Sequence, residues 1–326
     1  MSTQILITKV EEAFGFHTFS ILGSAGGFSA KNLECTGDEE LYVLKCFSGK
    51  SLDAVQNIID IAAHFKSGGL PVISPVAAKG GHKIVSVPDE QRGGLVLCTL
   101  YPWCDGGQYH EPTLTKLHRV SAAKLLAQVH QVPHHESFIR LNLHDKVKSA
   151  LEELLVLHEK ALLSEHREVI VPLFERKKRV LNNFKGFSTS LPFLTIHGDY
   201  HNENLLFDPE GNVEALLDFE DAQLSHPFQD VMTFVSLACS NTSFSEQNLE
   251  WAKEFVSVYR EETGYSYDTF FDGFSAFLTS FCASFFLEKL VLDGRDDIIK
   301  LLERDSRKLD YFNGREEEFT QKLWSS

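Results

Sequence analysis

A chain of 326 residues with 43% hydrophobic and 24% charged side chains holds ample material for a core, in one large or two medium domains. Its formal net charge of −15 weighs against a nucleic-acid or anionic-membrane surface, since both call for clustered Lys and Arg. The same acidity suits a cationic small molecule. Cysteines 35, 46, 98, 104, 239 and 282 form no C-x-x-C pair and read as buried small hydrophobes in a reducing compartment. The N-terminus lacks a charged-then-apolar leader pattern. The stretch Phe274 to Leu287 is interrupted by Ser275, Thr279, Ser280 and Ser284, too short and too polar for a span. A cytoplasmic protein with no nucleic-acid or membrane partner is expected, with an aromatic-rich core built from 26 Phe.

In chain order, residues 4–14 have helical character and Phe16 to Leu22 alternates as a strand does. A glycine-rich turn follows, then a strand from Ala30 to Cys35, a turn over 36–40, and a third strand from Leu41 to Phe47 carrying Lys45. This order, strand, Gly-rich turn, strand, turn, strand with lysine, is the pattern of a nucleotide-binding kinase lobe. Gly26, Gly27, Phe28 and Ser29 would bring backbone N–H groups to phosphate oxygens, and Lys45 would pair with the α- and β-phosphates. Ser51 to Lys66 has helical period, closed by Gly68-Gly69.

Strand-like runs at Val72–Val76, Lys83–Val87 and Gly94–Tyr101 lead into the Pro/Gly-rich patch Pro102 to Gly107, the expected hinge. Thr99 and Tyr101 at the end of that last strand are the candidate adenine-side contacts. The expected organisation is therefore an α+β, two-lobed protein-kinase-like fold. Residues 1–100 form an antiparallel nucleotide-binding lobe, 101–107 the hinge, and 108–326 a larger, mostly helical lobe. Helices are expected over Thr113–Gln131, Leu143–Leu163, Glu168–Phe184 (starting near Pro172), Pro227–Cys239, Gln247–Thr263, Thr269–Leu292 and Ile298–Phe319.

Between the helical stretches lies HGDYHNENLLFDPEGNVEALLDF, from His197 to Phe219. Two apolar runs, Leu205–Phe207 and Val213–Leu217, flank the turn residues Asp208 to Asn212, which is a hairpin signal. Folding the hairpin brings Asn204, before its first strand, near Asp218, after its second, with Asp199 just upstream. Oxygen donors of this kind suit a hard cation such as Mg²⁺, and the further carboxylate suits proton acceptance from a hydroxyl. A zinc reading of His197 and His201 needs a helix there, which Gly198 disfavours.

These residues carry a resemblance. HGDYHNENLLF and LLDFEDAQLSHPFQDV resemble the aminoglycoside phosphotransferase-like kinases, a group that includes choline, type II homoserine and hydroxylysine kinases. LYVLK ending at Lys45, GGLPVISPV (68–76) and LLAQVH (125–130) are similar to the family's weaker motifs. The resemblance implies ATP and Mg²⁺ as cofactors, Asp199 as catalytic base, Asn204 and Asp218 as metal ligands, and a structural role for Asp230. It implies a small-molecule hydroxyl acceptor, for which the acidity of the chain favours an amino-bearing compound; His201, Glu203, Glu220 and Asp221 are close enough in sequence to line its site. One departure stands out. The glutamate that pairs with the lysine in kinases of this fold would fall near Ile58, yet no Glu occurs between Glu40 and Glu90. That gap motivates an alternative, a catalytically impaired kinase-fold binding module. A protein kinase is disfavoured, because Asp218-Phe219-Glu220 stands where D-F-G would and no A-P-E follows.

Overall fold

The computed structural model describes residues 2–25, 30–89, 93–109, 113–134, 138, 140, 142–184, 193–239 and 246–324. The chain divides into two compact units. The first comprises Met1–Gly107, Leu206–Pro209 and Glu214–Glu220; the second comprises Gln108–Leu205, Glu210–Val213 and Asp221–Ser326.

The first unit opens with helix α1 (Thr3–Phe14) and strands β1 (Phe19–Ser24), β2 (Lys31–Gly37) and β3 (Glu40–Ser48). Helix α2 (Leu52–Ser67) and strands β4 (Val85–Pro88) and β5 (Leu95–Pro102) follow. The sheet order is β1-β2-β3-β5-β4, every pair antiparallel. The β2–β3 turn is tighter than expected: only Asp38 and Glu39 leave the ladder, both at positive φ (46° and 74°). The Asp38 carboxylate steadies it by accepting from the N–H groups of His17 and Thr18 at 2.8 and 2.9 Å.

Leu6 and Val10 of α1 pack into one cluster with Leu33, Cys35, Leu44, Cys46, Cys98 and Leu100. Strand side chains alternate between faces, so Lys45 points away from that cluster, on the same face as Thr99 and Tyr101. Helix α2 forms where Ser51 caps its start, the hydroxyl accepting from Ala54 N at 3.2 Å, and where Val55, Ile58, Ile59, Ala62 and Phe65 make one buried stripe. The expected strand over Val72–Val76 is reduced to a single parallel bridge, Val72 to Leu216; Pro71 and Pro75 lack the N–H groups a ladder would use.

The second unit is mostly helical: α3 (Lys116–Val129), α4 (Leu143–Leu162), α5 (Arg167–Asn183), α6 (Phe228–Ala238), α7 (Glu246–Thr263), α8 (Tyr267–Cys282), α9 (Phe286–Leu292), α10 (Ile299–Phe312) and α11 (Glu316–Trp324). A short antiparallel pair, β6 (Leu194–Ile196) with β9 (Gln223–Ser225), brackets the stretch from His197 to Ala222. Between them in sequence lies the hairpin of β7 (Leu205–Phe207) and β8 (Val213–Leu216), most of whose residues belong to the first unit.

Three helix expectations change. Pro172 does not start α5 but sits inside it, five residues after Arg167. The stretch Thr269–Leu292 breaks into α8 and α9, where Ser284 O accepts from buried Lys177 at 2.6 Å, and Lys177 itself pairs with buried Glu288. The stretch Ile298–Phe319 breaks at Asn313-Gly314, with Gly314 at φ 79°. By length and composition Phe271–Leu292 could cross a membrane, against the sequence expectation. In the fold it is a packed segment: Phe274, Leu278 and Cys282 are buried, and α8 lies against α4, α5, α6 and α11. Phe274, Phe312 and Phe319 form an aromatic knot there, with centroids 5.2–5.5 Å apart.

Candidate active site

In the second unit, β6 delivers the chain to His197 and Gly198, and one carboxylate fixes both. Asp230, fully buried in the first turn of α6, accepts from His197 N at 2.7 Å through Oδ2 and from Gly198 N at 2.8 Å through Oδ1. An acid is favoured at a helix N-terminus, and here it also satisfies two loop donors. The same Oδ2 lies 3.2 Å from His130 Nε2, whose other ring nitrogen meets the Tyr259 hydroxyl at 2.8 Å. Two separate sequence motifs, LLAQVH through its His130 and LLDFEDAQLSHPFQDV through its Asp230, thus meet under the loop. Tyr200 adds a second anchor; its fully buried ring sends the hydroxyl to Ala122 O at 2.7 Å.

Gly198 has φ +87°, and a β-carbon there would stand 2.0 Å from Asp221 O. Only glycine allows the loop to pass so close to the segment after β8. Asp199 follows. Asn204 donates through Nδ2 to Asp199 O at 2.8 Å and to Asp199 Oδ2 at 3.1 Å, which leaves its own carbonyl Oδ1 outside these bonds. His201 Nδ1 accepts from Glu203 N at 3.3 Å, and its Nε2 lies 3.3 Å from Asp199 Oδ2. Burial pushes the Asp199 carboxyl up. The hydrogen bond and charge of His201, the charge of His197 and the hydrogen bond from Asn204 outweigh it and hold the group below its ordinary value. Asp199 is therefore ionised at neutral pH, as a proton acceptor must be.

In the first unit, Lys45 lies across from Thr99 in the β3–β5 ladder. Its ammonium is 2.9 Å from Asp218 Oδ1 and 2.7 Å from Glu220 Oε1, and the other Glu220 oxygen is 3.1 Å from Lys50 Nζ. The Glu220 side chain is 6% exposed and that of Lys45 11%. Burial works against both charges. The two carboxylates nevertheless raise the Lys45 pKa, and the two lysines lower that of Glu220. Glu220 is thus the lysine's partner, where the sequence offered it as a lining residue of the acceptor site. Asp218 takes a positive φ of 60°, a conformation Asp tolerates better than most residues. Phe219 between the two acids is buried against Phe65 of α2 at a centroid distance of 5.2 Å, which turns its neighbours toward Lys45.

Thr99 is fully buried beside Lys45, and burial raises the Tyr101 hydroxyl pKa while Lys45, Asp218 and Glu220 all act on it. Gly26, Gly27, Phe28 and Ser29 lie outside the described residues. Lys45, Asp218, Thr99 and Tyr101 belong to the first unit; Asp199 and Asn204 belong to the second. Asp218 in the first unit carries a carboxylate and Asn204 in the second an amide oxygen, each a donor type that Mg²⁺ takes, and Lys45 is a fixed cation of the kind that suits phosphate oxygens. Sequence reasoning did not find Glu220 as the lysine's partner, nor Lys50. The available signal was the pairing of an acid-poor α2 with an acid two residues after Asp218.

Residues 20–268 match the phosphotransferase enzyme family. No curated protein sequence matches the chain. Among solved structures, it is similar to an amicoumacin kinase in complex with AMP-PNP, Ca²⁺ and Ami (TM-score 0.70, 16% identity, covering 96% of this chain and 94% of that one). It is similar to a microcompartment-associated aminopropanol kinase (TM-score 0.69, 14% identity, 99% and 100% covered). A spectinomycin phosphotransferase in complex with ADP and spectinomycin also matches (TM-score 0.61, 14% identity, 100% and 98% covered).

Proposed function

This chain belongs to the phosphotransferase enzyme family; on that premise we propose that it uses ATP and Mg²⁺ to transfer the γ-phosphate to a hydroxyl of an amino-bearing small-molecule acceptor. The observation that carries the reading is the environment of Asp199. Its ionised carboxylate is held between His201 and Asn204, on a loop pinned by Asp230. Asp199 takes the proton of the acceptor hydroxyl as the oxygen attacks phosphorus. Lys45, held by Asp218 and Glu220, binds the α- and β-phosphates. Thr99 and Tyr101 shape the adenine side, next to the hinge over 101–107. Asn204 and Asp218 are the residues that would hold Mg²⁺, and the ion would supply neutralising charge to the phosphates. Most of the acceleration then comes from positioning and fixed charge.

The reading as an impaired binding module loses its motive, because Lys45 has its carboxylate partner in Glu220. The acidic balance of the chain and the carboxylates Asp199 and Asp221 favour an amine on the acceptor. All six cysteines are free thiols, five of them buried, which supports a reducing, cytoplasmic setting. The test is ADP release across a panel of aminoglycosides, amino alcohols, hydroxy amino acids and neutral sugars. Turnover confined to amino-bearing members is the expected result; turnover only of neutral sugars would contradict it.

A further inference from the structure

The second unit holds a cation next to the catalytic loop that the transfer chemistry does not use. Lys146 is the fourth residue of α4, partly buried, and its ammonium donates to the Ser280 hydroxyl of α8 at 2.9 Å. Among the described residues no carboxylate lies within ion-pair distance of it. The other buried cations of this unit are mostly matched: Lys177 with Glu288, Arg119 with Glu254. Lys308 is a further buried lysine without an ion pair among the described residues, but it sits on α10, which packs on α5 and α9.

The position is costly in two ways. A positive charge in the first turn of a helix opposes the macrodipole, and partial burial removes water from the ammonium. Among the described residues, the acid whose charge acts on Lys146 is Asp221. Asp221 is the residue whose backbone rests on Gly198, one residue before Asp199. Lys146 and Asp221 therefore place one cation and one anion beside the proton-accepting loop.

We propose that Lys146, with Ser280, binds the carboxylate of the acceptor while Asp221 faces its ammonium, so that the acceptor is a zwitterionic hydroxy amino acid. The proposal rests on the kinase reading given above. One ammonium and one hydroxyl satisfy a carboxylate, whereas the neighbouring Asp221 charge disfavours a doubly charged phosphate. Holding both charged groups of a small acceptor leaves its side-chain hydroxyl as the part free to meet Asp199.

The experiment compares hydroxy amino acids (serine, homoserine, 5-hydroxylysine) with their carboxamides and with amino alcohols lacking the carboxyl group. It measures steady-state kcat and KM on the full chain, together with the thermal shift produced by Mg–ATP. At least one free acid is expected to be turned over with a KM about 10- to 100-fold below that of its amide. Lys146→Gln is expected to erase that preference, raising the acid's KM with the ATP KM and kcat within about twofold, as expected of an interaction made equally in ground and transition states. Lys146→Arg should restore part of the preference, and Ser280→Ala should weaken it less than Lys146→Gln does. Should Lys146→Gln fail to fold, Ser280→Ala and Lys146→Arg still decide. Turnover of amides or amino alcohols with no preference for the free acid would overturn the proposal and leave the kinase reading standing. Unchanged acid preference in Lys146→Gln would overturn it as well. Absence of any Mg–ATP thermal shift and of any turnover would overturn the kinase reading, and this proposal with it.

Discussion

The two sets of candidate functional residues are held in place by different physics. Lys45 is fixed by charge: two carboxylates converge on a nearly buried ammonium, and a second lysine shares one of them. The Asp199 loop is fixed by hydrogen bonds to backbone, two of them ending on the buried Asp230 carboxylate. Ion-pair anchorage needs only charge at the right distance, so the carboxylate can come from a different place in the chain. Here it comes from Glu220 and not from α2. Backbone anchorage needs a particular acceptor at a particular N–H, and a glycine where the loop passes Asp221. The first arrangement tolerates relocation; the second does not.

Four substitutions and a pH series separate the two arrangements. The largest effect belongs to Asp199→Ala, which removes the proposed proton acceptor and leaves the Lys45 cluster intact. We expect kcat to fall about 10²- to 10⁴-fold while the thermal shift from Mg–ATP persists. Next is Asp230→Ala, which orphans His197 N, Gly198 N and His130 together. Bonds to a charged acceptor contribute about 1.5–3 kcal/mol each, so a loss on the order of 3 kcal/mol or more is expected in urea titration, with activity lost alongside. Glu220→Gln leaves Lys45 with Asp218 alone. Breaking a buried pair outright costs about 3–5 kcal/mol, and the remaining partner places this variant toward or below the low end. It should raise the ATP KM more than the acceptor KM, the opposite split from a loop variant. Gly198→Ala forces a β-carbon against Asp221 O at a positive φ, a conformational cost of about 1–2 kcal/mol before the collision is counted. It should lower kcat and disturb acceptor binding while the ATP KM stays near wild type.

The smallest effect is in pH. Because the folded Glu220 carboxyl lies below its ordinary value, its contribution is present above the unfolded pKa of about 4.3 and is lost as pH falls through the folded one. The raised Lys45 pKa gives the opposite limb: stability present below about pH 10.4 and lost as pH rises through the folded value. The stability difference between wild type and Glu220→Gln should therefore stay level from about pH 5 to 10 and shrink on both sides, read as the difference in Tm. A difference that grows on acidification would show that Glu220 is not charge-paired in the folded protein.

The sequence made the kinase-like order of elements legible because its signals are local. The Ser51 cap, the apolar stripe of α2, the Pro/Gly turn of the β7–β8 hairpin and the strand carrying Lys45 all depend on neighbours a few residues away. The misses have non-local or finer causes. Helices α8 and α9 separate where Lys177 of α5, a hundred residues upstream, takes the Ser284 carbonyl. The break after α10 was readable, since Asn313-Gly314 is a helix-stop signal inside an otherwise periodic run. Glu220 is the instructive case. An acid two residues after Asp218 reads as loop decoration until the sheet brings Lys45 to it, 175 residues away in sequence, and no periodicity reports such a contact.

The central claim is that Asp199 is an ionised proton acceptor in an ATP-dependent transfer to a hydroxyl. It is tested most directly by following the γ-phosphate of labelled Mg–ATP onto an amino-bearing hydroxyl acceptor in wild type and Asp199→Ala. Label on the acceptor's hydroxyl oxygen in wild type, reduced by two or more orders of magnitude in the variant with Mg–ATP still bound, is the predicted result. Equal transfer by the two proteins would contradict it.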